Sequence, residues 1–149
     1  MSILFYTTKV PASQTAIEIQ EMLRSAGASE ILVQYDAGKV SGLKFRINTE
    51  HGILPFSLPC ETKRFEVVLE RQFRAGQIRA RITREHAERV AWRNLKAWVQ
   101  AQLALIEIGL VEIEQVMLPY LLSGENVTFY QRVLESGYRL ALPPKEATE

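Results

Sequence analysis

The sequence has little of most things that would announce a reaction. It holds one cysteine, Cys60, so no disulfide can form within the chain, and the lone thiol suits a reducing compartment. Its two histidines, His51 and His86, lack metal-ligand spacing to each other or to Cys60. No further imidazole or thiol exists to close a soft site, so neither metal nor cofactor is expected. A Cys60–His51 or Cys60–His86 nucleophilic pair is conceivable only on paper. No glycine-rich loop has phosphate-cradling spacing: Gly38, Lys39, Ser41 and Gly42 are present but in the wrong order. The most apolar stretch, 103–122, is interrupted by Glu107, Glu112, Glu114 and Pro119, too much charge for a bilayer span. Without a basic-then-apolar leader either, the expectation is a cytoplasmic chain with no membrane partner.

What is present fits an ordinary globular protein. At 149 residues, 47% hydrophobic and 23% charged, the chain can bury a core without staples. The pattern predicts one α+β domain over 1–149: a small antiparallel sheet with one helix over 1–60, then a bundle-like helical part over 61–137. A loose tail over 138–149 is expected to follow.

The apolar, aromatic run 2–8 reads as a strand. Val10-Pro11 ends it, and Ala12, Ala16, Ile19, Leu23 and Ala26 form one helical stripe stopped by Gly27. Three strand-like runs follow, around Ile31-Val33-Tyr35, Leu43-Phe45-Ile47 and 53–58. Turns at Asp36-Ala37-Gly38-Lys39 and Glu50-His51-Gly52 separate them. Alternation places Tyr35 with Ile31 and Val33 in the core, and Pro55 favours an edge strand.

From Glu61 the period becomes helical, with Phe65, Val68, Leu69 and Phe73 on one stripe up to Gly76. Segment 77–82 reads equally as strand or connector. Thr83 opens a long helix presenting Ala91, Trp92, Leu95, Trp98, Val99, Leu103 and Ile106. Gly109 breaks it, 111–122 resumes with a bend near Pro119, and a last helix runs over 126–136 to Gly137.

The strongest chemical signal is charge segregation. Residues 71–96 carry Arg71, Arg74, Arg79, Arg81, Arg84, Arg89, Arg93 and Lys96 against Glu85 and Glu88, a net of +6 within a chain of net +1. Guanidinium groups grip phosphates bidentately and stack on bases, so seven arginines in 26 residues suit a nucleic-acid backbone, DNA or RNA. Lys44 and Arg46, on the polar side of the second strand, could extend such a groove. The same residues also read as solvated helix and sheet surface, and glutamates outside the segment such as Glu66, Glu70, Glu107 or Glu114 could neutralise them. Glu107, Glu112 and Glu114 read as a solvent-facing stripe, without the Glu-x-x-His repeats of bundle metal sites.

Trp92 and Trp98 lie under two helical turns apart and point to different sectors, so both need cover. Together with Met117 and Tyr120 they are candidates for an interface with a second copy or with another protein.

The string Ala87-Glu88-Arg89-Val90-Ala91-Trp92-Arg93, then Trp98-Val99, 101–107 and Leu118-Pro119-Tyr120-Leu121, resembles a family of small uncharacterised bacterial and phage proteins. The opening Thr8-Lys9-Val10-Pro11-Ala12-Ser13-Gln14 is similar too. The family has no assigned activity, so the resemblance implies a mobile-element setting and carries no catalytic residue. The expectation is therefore a non-enzymatic nucleic-acid-binding accessory protein. Its alternative is a protein–protein or self-association module.

Overall fold

The computed structural model describes residues 2–146. Its elements are helix α1 (Ala12–Ser25), strands β1 (Ala28–Asp36), β2 (Lys39–Thr49) and β3 (Gly52–Pro59), and helices α2 (Thr62–Arg74) and α3 (Arg84–Glu107). The short helix α4 (Ile113–Met117), a 3-10 turn (Leu118–Tyr120) and helix α5 (Phe129–Glu135) follow. The strands form one antiparallel sheet in the order β1-β2-β3, so the fold is α+β. No helix among the described residues is long and apolar enough to cross a membrane.

The sheet follows from period-2 alternation. Leu43, Phe45 and Ile47 of β2 and Phe56 and Leu58 of β3 are buried on one face. Phe45 lies opposite Phe56 in register, and their rings stack at 5.4 Å between centroids. Such a pair adds about 0.5–1.5 kcal/mol beyond simple burial. Helix α1 buries four of the five expected stripe residues (Ala12, Ala16, Ile19, Leu23), with Ala26 exposed at its C-cap, and also buries Thr15, whose hydroxyl donates back to the Pro11 carbonyl. Gly27 ends it at φ 106°, a conformation that costs an L side chain about 1–2 kcal/mol.

Helix α3 spans both parts of the chain. Its N-cap Thr83 accepts a hydrogen bond from the His86 backbone N–H, and its C-terminal end is closed by Gly109 at φ 76°. Trp92 is fully buried and its indole N–H donates to the Val40 carbonyl at 3.3 Å, pinning α3 to β2. One core unites residues from both predicted parts: Ile19 and Leu23, Leu43, Phe45 and Phe56, Trp92, Val99 and Met117. A second, smaller core of Leu69, Ile78, Ala87 and Val90 joins α2 to α3.

Several expectations fail, each for a local reason. Residues 2–8 form no strand: Phe5 sits at φ 64° and the Thr8 N–H donates to its carbonyl. Side chains from the helices take the backbone groups a neighbouring strand would have used. The Ile3 N–H donates to Gln72 Oε1, the Leu4 carbonyl accepts from Asn94, and the Tyr6 carbonyl bonds to His86 Nε2. Tyr35 is 66% exposed rather than core: it lies at the end of the edge strand β1, past a register shift between Gln34 and Tyr35 that leaves Ser41 of β2 unpaired. Segment 77–82 is a bent connector plugged by the buried Ile78. The last helix begins at Phe129, not Asn126, where Thr128 and Gln131 form a reciprocal capping box. In the expected tail, 138–142 folds into hydrogen-bonded turns, with the Ala141 and Leu142 N–H groups both donating to the Tyr138 carbonyl. Residues 147–149 of that tail lie outside the described residues.

Candidate nucleic-acid interface

The arginine cluster splits into three environments. The first is the seam between α1 and α3. Arg93 and Lys96 point one turn apart toward α1, and each donates to Glu18 Oε2 at 2.6 Å. With Lys96 and Arg93 bonded to it, the Glu18 carboxyl is lowered to about 2. Arg93, a candidate phosphate contact from sequence, is about three-quarters covered and committed to this carboxylate. It is removed from the interface.

The second environment is the cleft between the N-terminal loop and the start of α3. About 330 Å³ in volume, it is lined by Tyr6, Thr7, Arg81, Thr83, His86 and Arg89 among others. Both ring nitrogens of His86 are engaged: Nε2 with the Tyr6 carbonyl, and Nδ1 with the Arg89 guanidinium at 3.0 Å. The two bonds fit a single neutral tautomer, Nε2–H donating and Nδ1 accepting. Arg89 is thus half-buried and positioned by the histidine.

The third environment is the end where α2 runs into α3. Lys63, Val67, Glu70, Arg71 and Arg74 fall on one stripe of α2, the face turned away from Leu69, and line a groove of about 410 Å³. Arg74 and Arg81 both bind Glu70 Oε1 at 3.2 Å, two cations on one carboxylate. Arg81 also lies over the Phe73 ring, 5.8 Å from its centroid. Arg71, Arg79 and Arg84 are exposed and have no carboxylate partner among the described residues. Lys63 pairs with Glu66 at 3.8 Å and lines the adjoining cleft with Lys39 and Arg84, where Asp36, Glu61 and Glu88 balance the charge. Sequence reasoning passed over Lys63 although its spacing to Val67, Glu70, Arg71 and Arg74 placed it on the same helical face.

Lys44 and Arg46 are not brought to this end. Alternation with Leu43, Phe45 and Ile47 puts them on the sheet face away from α1 and α3. There Lys44 donates to Asn126 Oδ1 at 2.6 Å and Arg46 pairs with Glu30 at 3.2 Å.

The interface candidates also need correction. Trp92 and Met117 have no exposed surface, so neither can touch a partner. Trp98 is half-buried and its ring meets Tyr120 edge-on at 5.6 Å, so each covers the other within the chain. The apolar groups that do face solvent lie elsewhere. They include Ile108 and Leu110 after α3, and Tyr130, Leu134, Tyr138, Leu140 and Leu142 at the C-terminal end.

Cys60 is 7% exposed, and burial, aided by the nearby Glu88, raises its pKa to about 12. At neutral pH it is held as the thiol. Among the described residues no three His, Cys, Asp or Glu side chains are grouped to hold a metal ion.

By class this is an α+β protein with a three-stranded antiparallel sheet and a basic helix–connector–helix end. No family model matches the chain, and no curated protein or solved structure matches it.

Proposed function

We propose that this protein is a non-enzymatic nucleic-acid-binding accessory protein, and that the end where α2 runs into α3 contacts phosphates. One observation carries the reading. Arg71, Arg79 and Arg84 stand exposed with no carboxylate partner among the described residues, beside Arg74 and Arg81, which share the single Glu70. An unpaired guanidinium in water gains most from a phosphate, whose two oxygens match its fork and whose condensed counterions are released on contact. The mobile-element setting implied by the family resemblance is compatible with this role. The contact set narrows from the nine cations expected from sequence to Arg71, Arg74, Arg79, Arg81 and Arg84, with Arg89 at its margin.

A salt-titrated binding assay with single- and double-stranded DNA and RNA tests the proposal. Affinity should fall steeply between roughly 50 and 200 mM salt, with a log–log slope of about −0.9 per duplex phosphate contacted. No binding at low salt, or an affinity flat across that range, overturns it.

The alternative, a protein-interaction module, no longer rests on Trp92 and Met117. It draws on the exposed stripe of Tyr130, Leu134, Tyr138, Leu140 and Leu142. Leu134→Glu with Leu140→Glu, leaving solution mass unchanged, removes the self-association version of it.

A further inference from the structure

We infer that β1 is the seam of a two-fold dimer, in which the sheets of two copies join edge to edge into six continuous strands. The two edges of the sheet are not equivalent. At β3 the Leu122 N–H donates to the Pro55 carbonyl at 2.9 Å, and Phe56 bridges Leu121, so 121–122 straps that edge. At β1, nine residues long, no hydrogen bond from outside the sheet reaches the backbone among the described residues.

The strap also fixes which β1 groups face outward. Since the Pro55 carbonyl points away from β2, Arg46 opposite it turns its own backbone groups toward β1. Arg46 pairs with Glu30, so alternation directs Glu30, Leu32 and Gln34 at β2. The N–H and C=O of Ile31 and Val33 are left facing out, the template an added strand requires. Their side chains, on the core face, are only half-buried, as expected where a sheet stops short of cover.

Side-chain matching argues for a second copy of β1 and for one register. A two-fold axis through the seam sets residues of the same face opposite one another. Centring on Glu30 would oppose two Glu30 carboxylates, and centring on Val33 would oppose Glu30 to Asp36. Centring on Ile31 would set Glu30 against Leu32. Centring on Leu32 opposes the two Leu32 side chains, Ile31 to Val33, and Glu30 to the amide of Gln34, with no like charges. Leu32 is 58% exposed on the outer face, ready for that contact. The regular stretch 30–34 lies between the two register shifts of β1, so the match falls where the ladder is undistorted.

Three variants and the wild type test the seam, on the full chain. Sedimentation at about 100 μM protein, well above the Kd of a micromolar interface, should give twice the monomer mass. Leu32→Lys, which places two ammonium groups on the axis at an exposed position, should halve it while leaving the circular dichroism unchanged. Leu32→Cys should give a reducible covalent dimer under mild oxidation, because directly opposed residues of this type sit about 4.5 Å apart between Cα atoms. Glu30→Cys, which is not opposite itself, should give none. Wild type under the same oxidant is the control for buried Cys60. A monomeric wild type, an undisturbed Leu32→Lys dimer, or Leu32→Cys that fails to cross-link would each overturn the proposal. Nucleic-acid binding plays no part in these readouts, so the two proposals fail separately.

Discussion

Arginines meet opposite fates at the two sides of α3. In the seam with α1, Arg93 joins Lys96 on Glu18, a carboxylate 75 residues away in sequence. Where α2 runs into α3, Arg71, Arg79 and Arg84 have no carboxylate partner among the described residues, and Arg74 and Arg81 divide one Glu70. Residue type is therefore a poor guide to role. A guanidinium with its own carboxylate is fastening, whereas one without is available to an outside anion.

The contrast can be broken first on the seam side. Trp92→Ala removes a fully buried indole and its bond to the Val40 carbonyl. It should destabilise the protein by about 3–5 kcal/mol in a denaturant titration, the largest effect expected. Thr83→Ala deletes the N-cap acceptor for the His86 N–H and should cost about 1 kcal/mol.

Glu18→Gln sharpens the comparison through pH. The Glu18 carboxyl is lowered from 4.5 to about 2 in the folded chain. A lowered pKa stabilises the fold above the unfolded value and is lost as pH falls through the folded one. Wild type should therefore shed this increment between about pH 4.5 and 2, and Glu18→Gln should lack it. The partly exposed pair limits the loss at neutral pH to about 1 kcal/mol. Equal acid sensitivity in both proteins would show that the seam charges contribute nothing. The smallest effect on stability, within about 0.5 kcal/mol, is expected from Arg71→Gln, Arg79→Gln and Arg84→Gln together. That same variant should flatten the salt dependence of nucleic-acid binding by close to three phosphate contacts. A large loss of stability there would make these arginines structural.

Much of the fold was legible because it is written in local periods. The stripe of α1, the alternation of Leu43, Phe45 and Ile47, Thr83 as a helix start and Gly109 as its end all depend on neighbours in sequence. The failures share the opposite cause. The run 2–8 has strand composition, but Gln72, His86 and Asn94 take its backbone groups from far along the chain. Tyr35 fits the alternation of β1 but lies where the edge strand runs past its cover, which pairing with β2 decides and local sequence does not. The basic end was visible as a cluster, and Glu70 as a neutraliser one turn from Arg74, yet Arg81 reaching Glu70 and Glu18 claiming Arg93 depend on the fold.

The strap of 121–122 across Pro55 has a consequence for how large any assembly can grow. A sheet with two open edges has a valency of two, so copies adding edge to edge propagate without limit into a fibre. Pro55 lacks an N–H to offer, and its carbonyl is already taken by Leu122, so one edge of this sheet is closed at that point. Among the described residues β1 is then the unstrapped edge, so if copies do pair through backbone groups, growth would end after one addition. Segment 121–122 thus sets the valency of the sheet, and loosening it would leave both edges open to an added strand.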